Sequence, residues 1–479
     1  MSLRAADVRF LLPAAPSTVA VSSSLSEVAG GFEQAGVLAQ GVSPDLAVMT
    51  GTEVTSALAA DPGAVIVLGI AGRRLRGQMP VVRRFITFPG SGDPHLIVPV
   101  DRARVAAYAI DTWTAPDSAI RRLRNRFARM AITARTFPDL GRSVSVGLRT
   151  GEPPFMIAGA VALGVPGDAD WFLTLGLGDA LTRAVFHLFA AGAAEPSWII
   201  KFSRVAGYVD PFERDERGLG LAAQSPVAAL HAPAFLGRFE VSGLSASVEE
   251  AAVGQRLTLL LQRRGDREAK LRAIEAVASW LVDLSRQSVV PAADLSDERR
   301  RLERDVLAPW GDAVAPDLVG RVAMLPGVLQ HNDLGCWNLV VGAGGFKAVD
   351  WESATRPGLP LWDLVYFLVD ALVHLDRAWA PEDREAHAAR LLLGQTPSSQ
   401  ILFRWLRAAV SALAIPPAAV GPAVTLAWLH HGLSRVSRTA NAQALAPGAT
   451  GTQTFGEWMV RVWLSTPGLG PDWSCWADG

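Results

Sequence analysis

The spacing of apolar positions changes character twice along the chain. Over residues 1–150, short β-branched runs alternate with Ala/Gly-rich stretches of helical spacing. The runs Ser17–Val21, Asp45–Met49, Ala64–Gly69, Val82–Thr87 and His95–Val98 predict strands, and the stretches near 25–40, 53–60 and 101–110 predict helices. Strands alternating with helices predict a Rossmann-like open α/β sheet, largely parallel. No Gly-x-Gly-x-x-Gly follows the first strand, so no glycine pattern supports a nucleotide site there. From about residue 160 strands follow one another directly: Trp171–Leu175, then Thr182–Phe189, then a run from Glu195 to Arg204. Beyond about residue 250 helical spacing prevails. Within Lys270–Leu284, the positions Leu271, Ile274, Val277, Ala278, Leu281 and Leu284 recur at helical intervals. The loop with Gly151, Pro153 and Pro154 marks a boundary, giving expected segments 1–150, 151–250 and 251–479.

One stretch stands apart from this scheme. Pro116–Arg149 is basic, with Ile120, Leu123, Phe127 and Met130 on one helical face and Arg121, Arg122, Arg124, Arg126 and Arg129 crowding the remainder. A helix over 118–132 with this pattern suits peripheral contact with anionic headgroups or a phosphorylated partner. Charge runs are more often a solvated or interdomain face, and that plainer reading carries more weight.

Composition narrows the class. The chain has 479 residues, half of them hydrophobic and 19% charged, which predicts a multi-domain globular protein. A net charge of -1 leaves no global field for nucleic acid. Cys336 and Cys475 lie too far apart in sequence to build a disulfide framework, which fits a reducing compartment. Met1–Phe10 lacks the apolar core of a secretory signal, and apolar runs such as Ala64–Ala71 are far shorter than the roughly 20 residues that span a bilayer. A soluble, cytoplasmic protein is expected; its oligomeric state leaves no trace in the sequence.

The chemistry concentrates in Gln330–Asn338 and Phe346–Glu352. Asp333 and Asn338 lie five residues apart on one tight loop, and Asp350 follows a Gly342-Ala343-Gly344-Gly345 turn that closes a short hairpin. Two carboxylates and an amide at this spacing meet the needs of phosphoryl transfer. One carboxylate orients the attacking hydroxyl, while the other and an amide oxygen hold Mg²⁺.

The segment resembles the aminoglycoside phosphotransferase/choline kinase branch of the protein-kinase-like fold. That branch reads His-Gly-Asp-x-x-x-x-Asn, then a hydrophobic-Asp-Trp-Glu strand, then Gly-x-Pro-x-x-Asp-Leu. Here stand His331, Asp333 and Asn338, then Val349-Asp350-Trp351-Glu352, then Gly358, Pro360, Asp363 and Leu364. The resemblance covers roughly residues 160–380. It implies a bilobal kinase-like phosphotransferase behind the front α/β domain, a fold class of α/β plus α+β. It also implies ATP and Mg²⁺ as cofactors and a small-molecule hydroxyl compound, a sugar or related metabolite, as acceptor.

Residue roles follow from the same resemblance. Asp333 is the catalytic base, His331 braces its loop, and Asn338 and Asp350 are the metal ligands. Gly176 and Gly178 form a glycine turn, and Lys201 contacts nucleotide phosphates. Glu216, with Glu213 as the alternative, pairs with Lys201, while Val248 and Glu249 lie on a hinge strand whose main chain binds adenine. Asp363 anchors the catalytic loop. Two departures are evident: Asn332 replaces the usual Gly, in a position where Asn tolerates a left-handed backbone, and Gly335-Cys336-Trp337 replaces a segment often containing Pro. Cys336 reads as a small semi-buried thiol.

Residues 401–479 carry only Glu457, Asp472 and Asp478 as acids, against five arginines, His430, His431 and six tryptophans. Such a region suits a neutral or anionic acceptor, a sugar stacked on an indole, and disfavours polycationic aminoglycosides. Two alternatives remain: a nucleotide-binding regulatory protein that transfers nothing, and a bifunctional transferase whose front domain modifies the sugar.

Overall fold

A computed structural model describes residues 3–34, 44–50, 53–58, 60–69, 75–88, 96–113, 119–133, 143–176, 181–263, 265–290, 295–313, 317–378, 381–445 and 455–477. The chain divides into two compact units. One comprises Met1–Phe212, Phe235–Val253 and Ala442–Thr450; the other comprises Glu213–Ala234, Gly254–Asn441 and Gly451–Gly479.

The first unit is built on one mixed sheet. Its strands are β1 (Val19–Val21), β2 (Leu46–Thr50), β3 (Ala64–Leu68), β4 (Val81–Phe88), β5 (Leu96–Pro99), β6 (Ser143–Leu148), β7 (Asp170–Leu175), β8 (Ala184–Phe189), β9 (Trp198–Phe202), β10 (Phe235–Val241) and β11 (Leu244–Glu250). The spatial order is β1-β2-β3-β6-β4-β5-β7-β8-β9-β11-β10. β1, β2 and β3 are parallel, and every later pairing is antiparallel. The largely parallel pattern expected for residues 1–150 is therefore realised over the first three strands only. The reason lies in β6, which inserts between β3 and β4 and reverses the direction of pairing.

Strands from before and after residue 150 share this sheet, because β5 pairs with β7, Leu96 opposite Thr174 and Ile97 opposite Leu173. Apolar strands such as β2 and β3 bury both faces, as expected of runs covered on each side. One core extends along the sheet from Phe10, Phe32 and Ile66 to Phe186, Ile200 and Phe202. Phe10 meets Phe202 edge-on at 4.7 Å, and Phe85 stacks on Trp171 at 5.3 Å. Asp7 and Arg204 form a fully buried ion pair at 2.8 Å. The Arg204 Nε–H also donates to the Thr182 carbonyl, just before β8.

The second unit is mainly helical. Helix Arg267–Ser288 starts at an Asp266 cap that accepts from the Glu268 N–H, and it buries Ile274, Val277, Ala278, Leu281 and Leu284, as its spacing predicts. Its last residue, Ser288, accepts a hydrogen bond from the Leu329 N–H at 2.9 Å and so holds the strand that leads into the loop at 331–338. Small strands frame that loop. They are β12 (Gln255–Arg256), β13 (Val328–Gln330), β14 (Leu339–Gly342), β15 (Gly345–Ala348) and β16 (Thr355–Gly358), paired as β12-β14-β15 and β13-β16. Among the described residues no single helix is long and apolar enough to cross a membrane.

Candidate active site

The loop after β13 is fixed from three directions. The buried Asp363 carboxylate, in the first turn of helix Trp362–Leu375, accepts the His331 N–H at 2.6 Å and the Asn332 N–H at 2.8 Å. Asp363 is the loop anchor that the sequence suggests. Burial pushes its carboxyl up to about 6, although the two backbone donors pull the other way. Asn332 takes the left-handed backbone expected of it, with φ of 71°. The His331 ring is wholly buried, lies 4.7 Å from the Trp351 ring, and is 3.1 Å from the Val349 carbonyl through Nε2.

Asp333 and Asn338 meet directly. The Asn338 Nδ2 donates to the Asp333 carbonyl at 2.8 Å and to its Oδ2 at 3.1 Å. Among the described residues nothing donates to the Asn338 Oδ1. An amide presents its nitrogen and oxygen on opposite edges, so this oxygen is turned away from Asp333.

Asp350 enters through the hairpin. β14 and β15 pair antiparallel from Leu339–Ala348 to Gly342–Gly345, as the glycine-rich turn predicts. Val349, just past the ladder, donates its N–H to the Asn338 carbonyl at 2.9 Å, while its own carbonyl meets the His331 ring. One residue thus ties the backbone before Asp350 to both halves of the loop at 331–338. Asp350 itself adopts a left-handed conformation, with φ of 71° and ψ of 55°.

Neighbours that the sequence reading passed over complete the surroundings. Tyr366, Asp370 and His374 recur every four residues on one face of helix Trp362–Leu375. Asp370 accepts the Cys336 N–H at 2.7 Å, and its other oxygen lies 3.6 Å from His374 Nε2. Cys336 is fully buried, and burial, then the nearby Asp370 charge, raises its thiol pKa well above the ordinary range. It is an inert packing group. Tyr366 stacks on His431 at 3.9 Å. Burial lowers His430 to about 3 and His431 well below its ordinary value, so neither adds positive charge near neutral pH. Counting them with the arginines overstated the charge of residues 401–479. Five of the six tryptophans there, at 428, 458, 463, 473 and 476, are core residues. They offer no indole surface for a sugar.

Helix Asp210–Ala223 carries Glu213 and Glu216, the two acids expected to pair with Lys201. Glu213 and Glu216 are exposed, whereas Asp215 is completely buried and Gly218 faces the Trp351 carbonyl so closely that a Cβ would collide with it. The Arg214 guanidinium lies 3.5 Å from Glu352.

In the first unit, Lys201 is buried on β9 with its Nζ 3.0 Å from the Glu249 carboxylate. Glu249 thus has a side-chain role beside Lys201, which a hinge assignment does not include. Val248 lies within the ladder, opposite Ile200 on β9 and Gly237 on β10. Gly176 follows β7, and a Cβ there would collide with Thr182; Gly178 lies outside the described residues.

No family model matches the sequence, and no curated protein matches it. Among solved structures, the chain is similar to aminoglycoside-3'-phosphotransferase of type VIII, with 18% identity over 53% of this chain and 98% of that one, at a TM-score of 0.32. It is similar to the aminoglycoside phosphotransferase APH(3'')-Id from Streptomyces rimosus in complex with ADP and streptomycin, with 18% identity over 55% and 96% of the two chains, at a TM-score of 0.33. It is also similar to WbdD, with 14% identity over 84% of this chain and 79% of WbdD, at a TM-score of 0.29.

Proposed function

We propose that the chain is an ATP-dependent, Mg²⁺-requiring O-phosphotransferase acting on a hydroxyl of a small molecule, a sugar or related metabolite. The carrying observation is the Asn338 amide. Its Nδ2 is spent on Asp333, so its Oδ1 is kept as an oxygen ligand beside a carboxylate. Asn338 and Asp350 would hold the metal. A carboxylate and an amide oxygen are the hard donors that Mg²⁺ prefers. Among the described residues no cluster of three or more His, Cys, Asp or Glu could hold a metal ion. Mg²⁺ is usually held by one or two carboxylates together with substrate phosphates. When bound, the ion offsets negative charge on the phosphate oxygens.

Asp333 accepts the hydrogen bond of the acceptor hydroxyl and takes its proton. As that happens, the acceptor oxygen bonds to the γ-phosphorus and the bond to the ADP leaving oxygen breaks. His331 and Asp363 act as positioning residues for this loop. In the first unit, Lys201 serves as a phosphate-contacting cation beside the Glu249 carboxylate, and Gly176 lets phosphate come close to backbone.

ADP release measured across a panel of hydroxylated metabolites tests the reading. Wild type should turn over at least one acceptor only with Mg²⁺ present. Asp333→Asn should lose roughly 100- to 10,000-fold in kcat while still binding ATP. A wild-type protein that binds ATP yet turns over no acceptor, or an undiminished Asp333→Asn, would sink it.

A further inference from the structure

We propose that helix Ala119–Thr133 docks the protein onto an anionic lipid surface. The helix is amphipathic, with its apolar stripe turned outward. Ile120, Leu123, Phe127 and Met130 are 80%, 54%, 58% and 58% exposed. With about 100° of turn per residue, these four side chains fall within a single sector of roughly 80°. The opposite side holds the helix in place, because Ile132 and Ala128 pack into the cluster formed by Ile110, Phe172 and Phe189. Four large apolar side chains aligned in water are an unusual feature for a folded surface.

Charge selects the occupant. The fifteen residues include five arginines and no acid. Arg126 is exposed, and Arg129 carries an exposed ion pair with Asp111. A second copy of this chain laid across the stripe would bring arginines against arginines, which disfavours self-association. An acidic protein groove that wraps a basic helix needs access to most of its circumference, and the Ile132 side is already packed. A half-exposed helix with an apolar stripe and a basic, acid-free sequence suits a plane: the stripe enters the headgroup boundary while Arg126 beside it meets lipid phosphates.

Flotation of the full chain with vesicles gives the test. The protein should float with phosphatidylcholine vesicles doped with phosphatidylserine, stay behind with phosphatidylcholine alone, and release as salt rises. The double variant Leu123→Gln, Phe127→Gln and the single variant Arg126→Glu should each lower partitioning by about tenfold or more. Met324→Gln, which removes an 87% exposed apolar side chain in the other unit, should leave partitioning unchanged. Melting curves of all variants should match wild type, because these side chains are exposed. Equal binding to neutral and anionic vesicles, no binding to either, or double-variant binding equal to wild type would each overturn the proposal. So would a wild-type dimer that the double variant dissociates, since a second copy would then cover the face.

Discussion

Asp363 carries two opposed demands. As a carboxylate it receives two backbone donors, and as a buried group it would rather be neutral. With an ordinary carboxyl value of 3.8 and a folded value of about 6, the unfolded chain releases this proton first as pH rises. Stability attributable to Asp363 is therefore greatest below about pH 4 and is lost through about pH 6, a change on the order of 3 kcal/mol. Asp363→Asn removes the titration and turns an NH₂ group toward backbone donors, so it should be less stable than wild type. The gap between the two proteins, read from denaturant melts, should widen as pH falls from about 6 toward 4. A constant gap would contradict the assignment.

At the scale of elements, the contact between helix Asp210–Ala223 and Trp351 reverses an ordinary expectation. Gly to Ala in a helix interior usually stabilises by up to about 1 kcal/mol. At Gly218 the added methyl collides with the Trp351 carbonyl. Gly218→Ala should instead cost about 1–3 kcal/mol and lower turnover by displacing the residue after Asp350. Differential scanning calorimetry and steady-state rates measure the two effects, and a stabilised, fully active variant would be the contrary result. Much of this neighbourhood is legible in the sequence, because local constraints write it. Asn332 announces its backbone, the glycines at 342–345 announce the hairpin, and Asp363 falls where a helix begins. Other features arise from long-range packing and leave no local mark. The Lys201–Glu249 pair spans two strands, Asp215 is buried only because its helix packs as it does, and His430 and His431 lose their charge to burial. Periodicity does foretell the stripe on helix Ala119–Thr133, but not that it would face outward.

At the scale of the molecule, the first unit is one sheet, and residues 1–150 contribute to it everywhere from β1 to β5. Removing them would bare the edge of β7, take Phe10 from Phe202 and Phe85 from Trp171, and strip Asp7 from the buried Arg204. A protein beginning at residue 151 should aggregate or melt without cooperativity; a monomeric fragment with a sharp transition would refute this. The alternation expected of a separate front domain is present in the sequence, yet β6 closes it with antiparallel pairing that no local pattern shows. The seam at β5 and β7 is made by main-chain groups, which every residue except proline supplies in full. Its buried side chains, Ile97 and Leu173 among them, can be exchanged only for apolar groups of similar size, so the two stretches are bound to be inherited together even where no recognisable motif marks the join.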